Sequence, residues 1–288
     1  MSTQLEFPIT FFPRTRHDPA RRVPSEVQEL INRGAIFIIN HSGGKDSQAM
    51  ASFVMEHVPR AQVRHLHAVL PGVDWDGVVE HIEGTIDGHV LHLCQAPTTL
   101  LATVRRRGMF PSPTRRQCTS DLKRGPIERT IRRLAKAEGF RLIVNCMGMR
   151  AEESSNRAKL QTLKLSERNS KAGREWYDWL PIHDWLIGAV FKRIKDAGQE
   201  PFWTYAAGMS RLSCVFCIMA SKADLTTAAR LRPDLYREYV MLERETGQVM
   251  MMPSKSKGRL TLEQITGIYI DANDPASADC PPAEAAVA

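Results

Sequence analysis

Hydrophobic residues in this chain recur in short runs separated by longer, mixed stretches. The clearest run is Ala35-Ile36-Phe37-Ile38-Ile39-Asn40, rich in β-branched and aromatic types without polar alternation, the pattern of a central parallel strand covered on both faces. Similar runs lie at 63–70, 89–94 and 141–146, and the segments at 46–57, 75–86 and 125–138 between them are compatible with helices. Strands alternating with helices of about ten or more residues predict βαβ units. The expected fold is therefore α/β, with a Rossmann-like parallel sheet flanked by helices. Ligands of such sheets bind beyond the carboxyl ends of the strands, which singles out the loops after Asn40, Leu70 and Cys146.

A short helix is predicted at 26–32, and the Pro- and Arg-rich residues 1–25, with Phe7, Phe11 and Phe12, read as an extended arm. After Gly148 the alternation weakens. Residues 176–182 are aromatic and aliphatic, 184–196 read as a helix capped by Asp184, and 224–245 as one or two helices around Pro233. The expected organisation is an arm (1–25), a main α/β domain (26–220), a mixed or helical C-terminal appendage (221–270) and a disordered tail (271–288), with no internal repeat.

With 43% hydrophobic and 25% charged side chains in 288 residues, the composition is that of a globular protein and excludes fibrous and disordered classes. No stretch approaches the ~18 apolar residues of a membrane span, and Met1-Ser2-Thr3-Gln4-Leu5-Glu6 lacks the order of a secretion signal. A cytoplasmic protein without a membrane partner is expected. Basic residues exceed acidic ones by 7, and residues 104–133 alone contribute a net +8. That concentration is either a solvated loop and helix face or an electropositive wall beside a polyanionic ligand. The six cysteines are too few for a disulfide scaffold, so their spacing matters more than their number.

The most informative segment is Ser42-Gly43-Gly44-Lys45-Asp46-Ser47, placed directly after the best strand and opening a helix. Glycines let backbone N–H groups turn toward an anion, the helix end adds partial positive charge, and Lys45 adds a full one. Ser42 and Ser47 can donate hydroxyls to phosphate oxygens, and Asp46 either caps the helix or helps hold a divalent cation. The Gly-Lys-Ser/Thr ending of kinase and GTPase loops is absent. This hexapeptide resembles the PP-loop of the adenine nucleotide α-hydrolase-like superfamily. Within it the chain resembles the phosphoadenosine phosphosulfate (PAPS) reductase family, through Cys118-Thr119-Ser120-Asp121-Leu122-Lys123-Arg124-Gly125-Pro126, the block from Gly148-Met149-Arg150 to Asn156-Arg157, Pro181-Ile182-His183-Asp184-Trp185 and Arg211-Leu212-Ser213-Cys214-Val215-Phe216-Cys217.

The resemblance implies a HUP-type fold, binding of ATP or a related adenylyl nucleotide with Mg2+ by Ser42, Gly43, Gly44, Lys45, Asp46, Ser47 and Arg157, and chemistry at the α-phosphate supported by Lys45, Lys123 and Arg150. The alternative is that Arg150 and Arg157 pair with Glu152 and Glu153 on a surface helix over 152–159. Cys214 and Cys217, with Cys118, occupy positions that hold a [4Fe–4S] cluster in iron–sulfur members, where one further ligand is present. A cluster that carries sulfur, a zinc site with a fourth ligand, and a site without metal all stay open. The late Cys280 lacks the glycine and histidine that flank the nucleophile of the family's reductases. The implied function is adenylation-type chemistry coupled to iron–sulfur-dependent sulfur transfer, with tRNA or DNA as acceptor and a sulfur or electron donor protein as partner. Reduction of PAPS or adenylyl sulfate, and a non-catalytic nucleotide-binding accessory subunit, are the alternatives. Asp74 and Asp76 are candidates to assist magnesium, His41 to donate to a phosphate, and Trp176, Trp179, Trp185 and Trp203 to stack on bases or fill a core.

Overall fold

In the computed structural model, which describes residues 23–253 and 258–271, the first apolar run becomes the central strand of the sheet. The elements begin with α1 (Ser25–Asn32), β1 (Ile36–Asn40), α2 (Lys45–His57), β2 (Val63–Val69), α3 (Val78–Glu83), β3 (Leu91–Gln95), α4 (Leu100–Arg107), α5 (Gln117–Thr119) and α6 (Gly125–Ala137). They continue with β4 (Leu142–Cys146), α7 (Ser155–Ala158), β5 (Leu163–Leu165), β6 (Glu175–Trp179), α8 (Ile187–Asp196), α9 (Lys222–Leu231), α10 (Pro233–Thr246) and α11 (Leu262–Thr266). Phe7, Phe11, Phe12 and Cys280 lie outside the described residues.

Side chains alternate across a strand, and β1 uses both faces. Ile36 and Ile38 pack with Ile131 and Ala135 of α6 and with Trp176, whereas Phe37 and Ile39 pack on the other face with α1, α2 and α8 through Leu30, Met50, Phe53 and Val190. The strand order is β3-β2-β1-β4-β6-β5, parallel except for the antiparallel β5–β6 pair. β2 and β3 lie to one side of β1 and β4 to the other, so the chain direction across the sheet reverses between β1 and β4. A crevice opens at the carboxyl ends of strands at such a switch point.

The aromatic segment left without an assigned element, Glu175-Trp176-Tyr177-Asp178-Trp179, joins the sheet as a strand whose Trp176 and Trp179 are buried. Three predicted details differ. The third helix begins only at Val78, after Gly77 at φ 81°, rather than at residue 75. Asp184 does not cap the eighth helix, which starts at Ile187 behind Leu186. The predicted helix over 152–159 is broken at Ser154, whose extended backbone and Oγ, accepting from Arg157 N, start the one-turn α7. Helices α9, α10 and α11 share one apolar core with α3 and α4, built on Trp75, Leu101, Phe216, Leu225, Tyr236 and Tyr239. Among the described residues no helix is long and apolar enough to cross a membrane.

The two loops at the switch point meet at Gly148. A Cβ there would sit 3.0 Å from the Asp46 carbonyl oxygen and 3.1 Å from the Ser47 nitrogen, both backbone atoms that cannot swing aside. Gly148→Ala is therefore expected to lower stability by about 1–3 kcal/mol, the usual cost of overpacking. The urea midpoint measures this, and an unchanged midpoint contradicts the close approach.

Candidate functional site

α2 starts without a side-chain cap. Gly44 is its N-cap, and Asp46, the second helical residue, points elsewhere, so the expectation that Asp46 caps the helix fails. The loop is instead held by its own neighbours. Ser42 N donates to Ser47 Oγ at 3.1 Å, Gly43 N donates to His41 Nδ1 at 3.1 Å, and Lys45 N donates to Tyr205 Oη at 3.1 Å. Gly43 adopts φ 77°, a left-handed conformation that favours glycine. His41 braces the loop by accepting from it, which differs from the phosphate-donor role the sequence suggested.

The cations around the loop are paired. Lys45 Nζ lies 3.1 Å from Asp46 Oδ2 and over the Tyr205 ring, and Arg150 Nε lies 2.6 Å from Asp46 Oδ1. Arg150 also engages Glu152 and the Trp185 carbonyl, and Arg157 engages Glu153. Arg150 is buried and does not line the cavity. The two arginines expected to grip anionic groups of the nucleotide thus sit in intramolecular ion pairs, Arg150 in the interior and Arg157 half-buried. Burial works against the charge of Arg150, but Asp46 and Glu152 outweigh it and raise its pKa. Its role in this structure is to fix Asp46 and with it the first turn of α2.

Beside the loop, a cavity of about 270 Å³ opens at the switch point, lined by Asn40, His41, Ser42, His67, Asp74, Arg116, Cys118, Thr119, Lys123, Arg211, Ser213, Cys214 and Cys217 among others. The structure thereby gathers Ser42, Lys123 and all three candidate cysteines on one surface. Lys123 sits in a one-turn π segment, Ser120–Arg124, that precedes α6. Burial opposes its charge, yet Cys214, Asp74, Cys217 and Cys118 around it raise its pKa. Burial pushes the Cys214 thiol up to about 11, with Lys123 pulling the other way, and raises Cys118 as well. Among the described residues no three His, Cys, Asp or Glu side chains converge as a metal-holding group, so the cysteines share a wall without forming the cluster or zinc site their spacing suggested.

Asp74 reaches the cavity while its Oδ2 accepts from Leu70 N at 2.7 Å, whereas Asp76 is exposed and pairs with Arg232 outside it. Trp203 is half-exposed against Trp75, and the other three candidate tryptophans are core. Sequence reasoning missed His67 and Tyr205, whereas Arg116 lies in the basic 104–133 segment and Arg211 opens the 211–217 block, neither with a role of its own assigned. His67 occupies β2 just before the loop already singled out, so its position carried a signal. Tyr205 carried none, since it belongs to no motif. A larger hollow of about 370 Å³ at the amino ends of β2 and β3 is lined by Arg60, Arg64, His89, His92 and Glu138. Its arginines are engaged by Asp87 and Glu138.

Histidines surround the loop from below. His41 and His65 have ring centroids 6.4 Å apart, His65 and His89 5.1 Å, and both His65 nitrogens lack a partner among the described residues. Burial, then His89, His92 and Arg60, bring the pKa of His65 down from 6.5 to about 3, and burial holds His41 well below its ordinary value. In this window the unfolded chain binds protons that the folded chain refuses, so stability falls as pH drops from 6.5 towards about 3. Urea midpoints measured across that interval are expected to decline steeply on acidification, and His65→Leu to flatten the decline. An identical slope in the variant removes His65 from the account.

The phosphoadenosine phosphosulfate reductase domain family matches residues 36–220 of the chain. An uncharacterized 37.8 kDa protein in the gpa 5′ region of Escherichia phage 186 is 32% identical over 119 residues, which is 41% of this chain and 34% of that protein. The match thus spans about a third of the length of this curated relative. Among solved structures, the chain is similar to PAPS reductase from Candida auris in a phosphate complex, with a TM-score of 0.42 at 12% identity, over 66% of this chain and 86% of that one. It is also similar to FMN adenylyltransferase from Candida glabrata in complex with FMN and the ATP analogue AMPCPP, with a TM-score of 0.41 at 12% identity over 68% of each chain.

Proposed function

Because the chain belongs to the phosphoadenosine phosphosulfate reductase domain family across residues 36–220, we propose that it is an enzyme that binds ATP, or a related adenylyl nucleotide, and acts at the α-phosphate. The observation that carries this reading is the switch-point cavity, which sets Ser42, the first residue of the glycine loop, beside the half-buried cation Lys123. The polyphosphate lies along the 42–47 loop, where the helix end, the Ser42 hydroxyl and Lys45 provide positive potential. Asp74, the carboxylate lining the cavity, would hold a magnesium ion bound with the nucleotide, and such an ion would offset the charge of the phosphates. Asp46, already bound by Lys45 and Arg150, organises the loop instead.

An acceptor oxygen attacks the α-phosphorus, the bond to the bridging oxygen breaks, and pyrophosphate leaves with the electron pair. Lys45 and Lys123 stabilise the charge that develops, by electrostatics already in place before the reaction. His67 takes the acceptor's proton. Its Nδ1 faces the His41 carbonyl at 2.8 Å and must donate to it, which leaves the Nε2 lone pair for the base, and burial keeps the ring neutral. Arg116 and Arg211, exposed at the cavity mouth, favour a polyanionic acceptor, with tRNA or DNA the class that fits their charge. Iron–sulfur or zinc chemistry at Cys118, Cys214 and Cys217 would need those thiolates to converge further than they do, and no step is routed through it.

Lys45→Ala tests the pocket. Asp46 keeps Arg150 in this variant, so the fold is expected to survive, while ATP affinity measured by calorimetry drops about 10- to 100-fold, the worth of a charged hydrogen bond. Unchanged affinity refutes the assigned pocket. Pyrophosphate release is the activity to be read. Release of sulfite from PAPS or adenylyl sulfate without ATP consumption would identify a reductase instead, and tight binding without turnover an accessory subunit.

A further inference from the structure

Three backbone N–H groups of the 42–47 loop have acceptors within the protein, and one of these acceptors, Tyr205 Oη, also holds the cysteine-bearing segment 211–217. Ser42 and Gly43 donate to Ser47 and His41, residues of the loop's own surroundings. Lys45 N donates to Tyr205 Oη, and the same oxygen accepts from Leu212 N at 3.2 Å. Leu212 lies two residues before Cys214. It also covers the glycines, since a Cβ on Gly43 would meet Leu212 Cδ2 at 3.2 Å and one on Gly44 would meet Leu212 Cβ at 3.3 Å. Beyond it, the strap is anchored by Val215 N on the Val73 carbonyl, and Cys214 and Cys217 face the cavity.

One N–H cannot serve two acceptors well. A phosphate oxygen arriving at the first turn of α2 competes for Lys45 N–H with a neutral phenol, and a charge-assisted hydrogen bond is roughly twice as strong as a neutral one. The same phosphate draws Lys45 Nζ from its place over the Tyr205 ring. When Tyr205 yields, Leu212 loses the acceptor that ties it to the loop. We propose that Tyr205 is a positioning residue that couples nucleotide occupancy of the loop to the exposure and reactivity of Cys214 and Cys217. This proposal rests on the nucleotide reading above. It adds that the thiol wall responds to the loop through one hydroxyl.

The test uses the full chain, with ATP or adenylyl sulfate as the probe and calorimetry confirming saturation. Iodoacetamide alkylation is followed at each cysteine by peptide mapping, with buried Cys94 and Cys146 as internal references. Saturating nucleotide is expected to raise the alkylation rate at Cys217 about fivefold, roughly the effect of one net hydrogen bond. Tyr205→Phe keeps the ring and removes the hydroxyl. It is expected to show the raised rate without nucleotide and a change of less than about twofold on adding it. A packing defect would instead raise Cys94 and Cys146 alkylation together with Cys217, with and without nucleotide, and would overturn the coupling. A wild-type rate that is unchanged by bound nucleotide also overturns it, whether or not the variant folds, as does a rate that falls equally in both proteins through direct shielding. Absence of nucleotide binding by the wild type refutes the proposed function itself, and the coupling with it.

Discussion

The loops after β1 and β4 touch backbone to backbone, and the arrangement of the site depends on that contact. Gly148 lets the Asp46 carbonyl and the Ser47 nitrogen approach so closely that a Cβ there would force the backbone to give by a few tenths of an ångström. Two residues later, Arg150 turns inward and binds the Asp46 carboxylate, so a steric and an electrostatic restraint act on the same turn of helix. Removing one partner of such a buried pair costs several kcal/mol, because the other charge is left without compensation. The first turn of α2 is therefore held by the β4 loop as much as by the glycine loop.

Charge near the site is arranged in two layers. Lys45, Asp46, Arg150 and Glu152 form an inner chain of alternating sign that leaves little net charge on the interior side of the loop. On the cavity side, Lys123 faces thiols and one half-buried carboxylate, a setting in which it keeps its proton. A polyanion approaching from solvent meets Arg116 and Arg211 first and Lys123 deeper in. The neutral histidines beneath the loop complete the pattern, because a charged imidazole there would lack solvent and partner alike.

Much of the fold was legible because the apolar run of β1 needs both of its faces covered, and only a parallel sheet between helix layers provides that. The strand β6 escaped because Trp and Tyr flanked by charged residues carry no period of their own, and its burial comes from β4 and the α8 layer. The cysteines showed a similar limit. Their spacing named the right wall of the cavity, but whether thiols converge on a metal depends on distances that the intervening segments decide.

The sequence by itself determined the position of the glycine loop at a strand end, the α/β class and the family, since these follow from local periodicity and contiguous motifs. The pairing of Arg150 with Glu152 and of Arg157 with Glu153 was one of the two readings the sequence offered, whereas tertiary structure alone decided that Arg150 also binds Asp46, that His67 enters the cavity while Asp76 does not, and that Tyr205 closes on Lys45 across 160 residues. Local patterns report which face a side chain presents. Partnership between charges and hydroxyls far apart in the chain is settled only when burial forces each polar group to find an acceptor or donor.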